Sequence, residues 1–318
     1  SHLEWGIDKM TANATKVWFD GKLLNEEKVK VSILSYGLHY GWGVYEGLRV
    51  YDTPRGREVF RLRDHMVRFL NSAKVLRLDI PYSVDQLCSA VKAVCRANGP
   101  RADYIRPLAF YGENGDLSLS ALNVPTHVAI MTIHMGKYIK GGSAGASLIT
   151  SSWEKPTSRS TSLTAKICGN YVNSIIAKKE ALRQGADEAL MLNHSGLVAE
   201  ASAENVFMVR NGNIYTPGVS DGLLEGITRD SVMIIARDLG YQVEEKSITR
   251  AELLVADEVF MTGTAAEIQP VRTLDGLPIG KNVPGPITKR IQSVFSKAVK
   301  GQAEQYSHWM DLIDEMPI

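Results

Sequence analysis

The sequence predicts an α/β protein, more closely described as α+β, that is divided into two domains. Its 318 residues suit two medium domains. Both halves combine runs typical of β-strands with apolar residues at helical spacing. Between the halves, residues 139–146 are small and flexible in composition, as in a linker. We therefore expect a smaller domain at 12–138, a linker at 139–146 and a larger domain at 147–318.

The composition excludes several classes of protein. Hydrophobic residues make up 44% and charged residues 22%, which is ordinary for a globular enzyme. The formal net charge of +1 argues against broad binding to nucleic acid or anionic membrane. No apolar run approaches the ~20 residues that span a bilayer. Since the beginning of the sequence also lacks a basic-then-apolar signal pattern, we expect a cytoplasmic protein.

The three cysteines indicate neither a disulfide framework nor a metal site. Cys88, Cys95 and Cys168 are odd in number and show no C-x-x-C spacing, which suits a reducing compartment. We interpret all three as small packing residues, and we predict no metal.

In the smaller domain, Asp20-Gly21 is a hairpin signal between two short strands. Asp64 is predicted to cap a helix that follows the next strand. With period-two alternation, Tyr104 and Arg106 lie on one face of a later strand, which suggests a pocket. The predicted elements are the hairpin at 16–36, a strand at 58–62, helices at 64–76 and 83–97, and strands at 104–110 and 127–133.

The larger domain alternates helices and strands. A turn at 193–196 contains His194, which we interpret as a polar turn residue rather than a catalyst. The predicted elements are helices at 170–184, 224–239 and 287–303, and strands at 189–192 and from 258 to the turn at Gly263.

Lys166 and Glu200 are the candidates for cofactor chemistry. Ala165 and Ile167 flank the lysine, and apolar surroundings disfavour a charged amine. A neutral lysine amine can form a Schiff base with a carbonyl, including that of pyridoxal phosphate. Such a cofactor also needs a carboxylate near its ring nitrogen. From these two residues alone, solvated charges are the alternative interpretation.

The wider context of Lys166 resembles the signature of fold-type IV pyridoxal-phosphate enzymes, in particular the branched-chain-amino-acid aminotransferases. In that family an A-K-x-x-G-N-Y motif precedes a glutamate by about 34 residues, and here the separation is 200 − 166 = 34. Residues 202–207 (SAENVF) match the motif that follows the glutamate. The resemblance covers roughly residues 15–300. It implies a smaller N-terminal α/β domain and a larger C-terminal pseudo-barrel domain, with pyridoxal 5'-phosphate between them.

The resemblance assigns the cofactor contacts. Lys166 would form the Schiff base and move the proton, Glu200 would face the ring nitrogen, and Tyr171 would bond the ring oxygen. Arg68, in an H-M-x-R motif, would hold the phosphate, although an exposed helix arginine is the alternative. The remaining phosphate-site residues are Leu224 (through its backbone), Ile227 and Thr228 in L-x-G-I-T-R, and Thr264 in F-x-x-G-T-A-A-E. For Thr228 the alternative is a simple helix cap.

The resemblance also implies a substrate side. Its residues are Tyr40, Tyr45, Gly47 and Arg49 in the H-Y-G…Y-E-G-L-R segment, Tyr104 and Arg106 in Y-I-R-P, Tyr138 and Ala265. The glycines of the first segment do not indicate a dinucleotide site, because Gly41, Gly43 and Gly47 miss that spacing by one residue. The loop at 112–124 departs from the family at 117–120, which leaves the preferred donor open.

The function implied is transamination of the branched-chain L-amino acids Leu, Ile and Val with 2-oxoglutarate, as in branched-chain amino acid biosynthesis. The expected partners are amino acids, 2-oxo acids and a second copy of the chain, in a homodimer or a multiple of it. One alternative is an (R)-amine or D-amino-acid transaminase, or an aminodeoxychorismate lyase, of the same fold. Another is a binding protein of the same shape without catalytic activity.

Overall fold

The computed structural model describes residues 15–135 and 144–314. Within these ranges the predicted mixed α/β fold is confirmed, and it is built around two large sheets. Tyr138 and most of the predicted linker lie outside the described residues. In the part of the chain that is described, no helix is long and apolar enough to cross a membrane.

The first sheet is antiparallel throughout, and all but one of its strands come from the first half of the chain. The turn predicted at Asp20-Gly21 joins the first two strands, with both residues in the positive-φ conformation that such hairpins need. The order is β5-β4-β6-β7-β1-β2, with β3 paired to β6. These strands are β1 (Lys16–Phe19), β2 (Lys22–Asn25), β3 (Gly43–Tyr45), β4 (Leu48–Thr53), β5 (Gly56–Phe60), β6 (Tyr104–Tyr111) and β7 (Thr126–Ile133).

Helices α1 (Tyr36–Tyr40), α2 (Leu62–Val75) and α3 (Val84–Asn98) accompany this sheet. Ser83 caps α3 in a capping box with Gln86, in agreement with the predicted start. The prediction that Asp64 caps α2 is wrong, because the cap position is Arg61, at φ 50°. Asp64 lies in the first turn instead, where its carboxylate accepts from Arg61 Nε at 2.6 Å. An acidic side chain is favourable there because the helix dipole is positive at that end.

Apolar packing fixes α2 against the first sheet. Met66 and Phe69 of α2 and Leu87 of α3 are fully buried in one core cluster. Burying a side chain of this size stabilises the fold by about 1.5–3 kcal/mol. The packing also positions two polar residues of α2: Arg68 lines the cavity described below, and His65 contacts Glu46.

The second sheet combines antiparallel and parallel pairs. Its order is β10-β9-β8-β15-β14-β11-β12-β13, with β16 paired to β15. Its strands are β8 (Ala146–Thr150), β9 (Glu188–Leu192), β10 (Val198–Ala201), β11 (Asn205–Arg210), β12 (Asn213–Thr216), β13 (Val243–Glu245), β14 (Glu258–Gly263), β15 (Glu267–Leu274) and β16 (Leu277–Pro278).

Helices α4 (Tyr171–Arg183), α5 (Ile227–Asp238), α6 (Arg250–Leu254) and α7 (Pro286–Val299) belong to the second half. Stacked rings of Phe207 and Phe260, with centroids 5.0 Å apart, lie in the core beneath α5 and α7. The helix predicted to reach residue 303 ends at Val299. A 3-10 segment, Glu304–Trp309, follows it.

The last strand returns to the first sheet. β17 (Met310–Leu312) pairs antiparallel with β5, and the Arg61 N–H donates to the Trp309 carbonyl at 2.6 Å. The end of the described chain therefore completes the sheet that its beginning starts.

The segment with the predicted catalytic lysine joins the two halves. Ile167 forms a β-bridge with Val44, and the Tyr45 N–H donates to the Lys166 carbonyl at 3.1 Å. Lys166 thus lies where the edge of the first sheet meets the second half of the chain.

Candidate active site

One cavity collects every residue that the sequence predicted for the cofactor. Its walls come from α2, the segment before α4, β10, the start of α5 and the end of β14. The predicted residues that line it are Arg68, Lys166, Tyr171, Glu200, Leu224, Ile227, Thr228 and Thr264. Side chains from both halves of the chain therefore converge on a single space.

Lys166 is held at its backbone and at its amine. Its N–H donates to Ser72 Oγ at 3.0 Å, and its Nζ donates to the Tyr171 hydroxyl at 2.6 Å. The amine also lies 4.7 Å from the ring centroid of Tyr45 and 4.9 Å from that of Tyr171. Burial raises the pKa of Tyr45, as does the neighbouring Tyr171, so Tyr45 stays a neutral phenol. The amine is thereby aimed into the cavity between two aromatic rings.

Glu200 presents a fully partnered carboxylate to the same cavity. Lys155 Nζ lies 2.7 Å from its Oε1. Asn205 Nδ2 and the Leu224 N–H donate to its Oε2 at 3.1 and 3.2 Å. The register of β10 shifts between Val198 and Glu200, as at a β-bulge, a feature that often re-aims a side chain at a functional site.

Arg68 is held from behind by a buried carboxylate. Its Nε and Nη2 donate to Glu46 at 2.6 and 2.9 Å, and its Nη1 donates to the Glu225 carbonyl at 2.9 Å. His65 Nδ1 is 2.7 Å from the same carboxylate. Burial opposes the charge of Arg68, but the Glu46 carboxylate outweighs it and raises the pKa of Arg68. With only 14% of its side chain exposed, Arg68 is not the solvated helix arginine of the alternative interpretation.

The start of α5 forms the wall beside Arg68. Its cap position is Gly226, so the alternative in which Thr228 caps the helix is wrong; Thr228 lies buried in the first turn. A Cβ at Gly226 would lie 2.1 Å from Asn205 Oδ1, so only glycine lets the backbone approach so closely. The N-terminus of a helix offers free N–H groups and a positive dipole end, which suit an anion.

A second cavity adjoins the first and holds most of the predicted substrate residues. The cavities share Lys166, Tyr171 and Thr264. A Cβ at Gly47 would lie 1.9 Å from the Tyr104 hydroxyl oxygen, so glycine is required at that position. The predicted substrate residues in its lining are Tyr45, Gly47, Tyr104, Arg106 and Ala265.

Two of the predicted substrate residues that the structure describes do not line this second cavity. Tyr40 is exposed, and its hydroxyl donates to the Leu117 carbonyl at 2.7 Å. Arg49 contacts the cavity wall indirectly, through a bond from Nη1 to the Ala265 carbonyl at 3.3 Å. Tyr138 lies outside the described residues.

Arg106 carries a charge directed towards this second cavity. Its Nη2 donates to the Tyr104 hydroxyl at 3.1 Å, and its guanidinium lies 4.4 Å from the ring centroid of Tyr45. Its Nε is buried, and among the residues that the structure describes it has no hydrogen-bond partner. Since a buried donor without a partner is costly, the position suits a ligand carboxylate.

The first cavity fits pyridoxal 5'-phosphate. Thr262 Oγ1 is buried in its wall and has no hydrogen-bond partner among residues 15–135 and 144–314. The lysine amine, the carboxylate of Glu200 and the cationic corner at Arg68 match an aldehyde, a ring nitrogen and a phosphate respectively. Within the same ranges, no group of His, Cys, Asp and Glu residues is arranged to hold a metal ion.

Two residues of this site were not singled out from the sequence. Lys155 stands in a Ser/Thr-rich stretch typical of solvated loops, and its partner Glu200 is 200 − 155 = 45 positions away. Glu46 is part of the Y-E-G-L-R motif, but nothing in the motif shows that its carboxylate turns back towards α2. The available signal was the position of Glu46, an acidic residue between the predicted substrate residues Tyr45 and Gly47.

The chain is similar in sequence to a known family of enzymes. Residues 43–274 match the family model described as amino-transferase class IV. A branched-chain-amino-acid aminotransferase of Pseudomonas aeruginosa is 41% identical over 93% of this chain and 97% of its own length. One from Escherichia coli K12 is 39% identical over 96% and 99%.

Solved structures show the same similarity. A branched-chain amino acid aminotransferase from T.th., solved with pyridoxamine 5'-phosphate, matches with a TM-score of 0.91 and 47% identity, over 95% of this chain and 99% of that one. The enzyme from the archaeon Thermoproteus uzoniensis, with norvaline, matches with a TM-score of 0.90 and 46% identity, over 95% and 100%.

Proposed function

The chain belongs to the class IV amino-transferase family, and on that premise we propose that it transaminates the branched-chain L-amino acids leucine, isoleucine and valine with 2-oxoglutarate. The observation that carries this proposal is the position of the Lys166 amine, which lines both cavities. On one side lie the cationic corner and carboxylate that suit the cofactor, and on the other an aromatic cavity with one arginine.

The cofactor of this enzyme is pyridoxal 5'-phosphate, which supplies an electrophilic carbonyl and an electron-withdrawing ring. Lys166 Nζ would be the nucleophile that anchors it, and Glu200 would face its ring nitrogen. Arg68 and the N–H groups at the start of α5 would hold its phosphate, because their donors match phosphate oxygens. Thr264 adds a hydroxyl at the end of β14.

Lys166 also moves the proton. Once its amine is free it acts as a general base for the donor α-carbon and then as an acid, which requires it to stay within reach of the reacting atoms. The Tyr171 hydroxyl, 2.6 Å from Nζ, and the flanking Tyr45 ring restrict where that amine can go. Tyr171 therefore orients the base, and its hydroxyl would also bond the ring oxygen of the cofactor.

The second cavity is proposed to select the substrate. Tyr45, Ala203 and Ala266 give an aromatic and small-residue lining that suits a branched aliphatic side chain. Arg106, with its unpartnered Nε, suits the distal carboxylate of 2-oxoglutarate. One arginine beside apolar walls would thus accept both kinds of substrate in turn.

We also propose a homodimer. An exposed apolar surface runs along residues 31–42 and includes Ile33, Leu38 and Trp42. Tyr40 ties this surface to the loop at 117–120, whose Leu119 is 83% exposed. A patch of this kind on a globular protein marks an interface. Light scattering of the purified protein tests the assembly, and the cytoplasmic location stays a prediction.

The test is a paired assay on the purified protein. L-leucine and (R)-1-phenylethylamine serve as donors and 2-oxoglutarate as acceptor, with Lys166→Ala as the inactive variant and Lys289→Ala, on the exposed face of α7, as its matched control. We expect turnover dominated by leucine that disappears only in Lys166→Ala. Absence of turnover with either donor would refute the proposal.

An (R)-amine transaminase remains the second candidate. It is favoured by the loop at 117–120, which is tied to α1 through the Tyr40 hydroxyl and exposes Leu119. Turnover of (R)-1-phenylethylamine above that of leucine would support this candidate instead.

A further inference from the structure

Lys155 is a buried cation on the wall of the cofactor cavity. It follows β8, and its N–H donates to the Leu192 carbonyl at 2.9 Å, which fixes its backbone to β9. Only 9% of its side chain is exposed, and it lines the same cavity as Glu200. Lysine is rarely buried to this extent unless it is paired.

Its partner is the carboxylate that faces the ring nitrogen. Lys155 Nζ lies 2.7 Å from Glu200 Oε1, and the Glu200 side chain is also only 9% exposed. The other oxygen, Oε2, accepts from two neutral donors, Asn205 Nδ2 and the Leu224 N–H. Lys155 is therefore the group that balances the charge of Glu200, while the neutral donors orient it.

We propose that Lys155 is a positioning residue whose ammonium pairs with the Glu200 carboxylate and thereby keeps the shared proton on the ring nitrogen of the cofactor. This inference rests on the proposed function, because it requires pyridoxal phosphate to occupy the cavity. Lys155 acts through Glu200 and is not itself a catalytic residue.

The position of the negative charge decides on which group Lys155 favours the shared proton. One proton is shared between the Glu200 carboxylate and the ring nitrogen, and both placements have the same net charge. A proton on the ring nitrogen leaves the negative charge on Glu200, adjacent to the Lys155 ammonium. A proton on Glu200 removes that attraction, and opposite charges at hydrogen-bond distance in a buried site interact strongly. Lys155 therefore favours the protonated ring, which is the better electron sink.

The test uses holoenzyme loaded with pyridoxal phosphate carrying ¹⁵N in its ring, and it measures the ring-nitrogen chemical shift by NMR. Lys155→Met removes the charge, Lys155→Gln keeps a hydrogen-bond donor without the charge, and Lys155→Arg keeps the charge. Lys289→Met, at the exposed position on α7, is the matched control. Circular dichroism checks that each variant folds.

We expect the ring-nitrogen signal of Lys155→Met and Lys155→Gln to move towards the unprotonated position. Lys155→Arg and the control should keep the wild-type signal. The kcat for leucine should fall about tenfold in the two neutral variants, as is typical when the partner of a functional group is removed. Because Glu200 does not select the substrate, KM should change little.

The outcomes separate the two proposals. If the wild-type protein binds no pyridoxal phosphate, the proposed function fails and this inference fails with it. If the wild type loads normally but both neutral variants keep the wild-type nitrogen signal, only the role of Lys155 is overturned. A wild-type signal in Lys155→Gln alone would also overturn it, since a hydrogen bond rather than charge would then be sufficient.

Discussion

The two ends of the cofactor cavity use the same kind of ion pair in opposite order. At the proposed phosphate end, Arg68 faces the cavity and Glu46 holds it from behind. At the proposed ring-nitrogen end, Glu200 faces the cavity and Lys155 balances it at 2.7 Å. In the proposed binding mode, a dianionic phosphate and a cationic ring nitrogen would each meet a charge of the opposite sign that is already balanced within the protein.

The two carboxylates differ in how completely they are enclosed. The Glu46 side chain is 0% exposed, and it also contacts His65, whereas the Glu200 side chain is 9% exposed. Burial alone would raise the pKa of Glu46, but the nearby Arg68 and His65 outweigh burial and lower the pKa. Glu46 is thus the more deeply buried carboxylate, and removing its charge should cost more.

The largest effect is expected for Glu46→Gln. The substitution leaves Arg68 without its carboxylate, and breaking a buried pair by removing one partner costs about 3 kcal/mol or more. Urea unfolding should show this loss in the free energy of unfolding, together with weaker pyridoxal phosphate binding. Glu27→Gln, at an exposed site, is the control. An unchanged unfolding midpoint would mean that the Glu46 pair does not contribute to stability.

Arg68→Lys should affect the phosphate end alone. Lysine keeps the charge but loses the planar fork of donors, so affinity for pyridoxal phosphate should fall about tenfold. Affinity for pyridoxal, which lacks the phosphate, should not change. Equilibrium dialysis with both compounds makes the comparison, and Arg63→Lys, a 65% exposed arginine on the same helix, is the control. An equal loss for both compounds would contradict a phosphate-specific role.

Arg106 offers a third arrangement, in which tyrosine rings rather than a carboxylate surround the cation. Removing it in Arg106→Gln should raise the KM for 2-oxoglutarate about tenfold, because a charge-assisted bond to the distal carboxylate is lost. The KM for leucine should change much less. Steady-state kinetics with each substrate varied in turn gives both values, and Arg101→Gln, at an exposed position, is the control. Equal changes for both substrates would show that Arg106 does not discriminate between them.

The last effect, which is seen only when the pH is varied, is expected at Glu204, a carboxyl beside another acid. Burial, together with the charge of Glu188, raises the pKa of Glu204 from 4.5 to about 8. Because the native pKa of Glu204 lies above its unfolded value, the contribution of this carboxyl to stability is fully present below pH 4.5. This contribution is lost as the pH rises to about 8. Relative to Glu204→Gln, the free energy of unfolding should fall by about 1 kcal/mol per pH unit or less across that window.

Urea unfolding at a series of pH values checks this prediction. Parallel stability curves for the wild type and Glu204→Gln would mean that Glu204 is ionised in the native state throughout. Glu27→Gln again serves as the exposed control.

The sequence predicted most of the elements because they follow local rules. The helix start at Ser83, the hairpin at Asp20-Gly21 and the shared face of Tyr104 and Arg106 all depend on residues close together in the chain. The predicted cap of α2 was wrong because the backbone of Arg61 is left-handed, and composition does not reveal this conformation. Its N–H and its side chain are fixed by contacts to distant residues, Trp309 and Asp230.

Prediction of the site from the sequence was likewise limited where contacts join residues that are distant in the chain. The motif residues of the cofactor cavity could be named from the sequence, because the family resemblance carries their spacing, and the structure brings them together. Their roles stay predictions. The partners behind them, Glu46 and Lys155, could not be recognised, because each acts only through a contact made across the fold.

The final strand has a consequence for biosynthesis. Because β17 pairs with β5, the first sheet of this enzyme is completed by residues that leave the ribosome after the whole second half. Until then, the outer edge of β5 is an open row of unpaired backbone groups, and such edges attract other chains. Synthesis therefore exposes the nascent protein to aggregation at one defined edge, and the last residues of the described chain end that exposure.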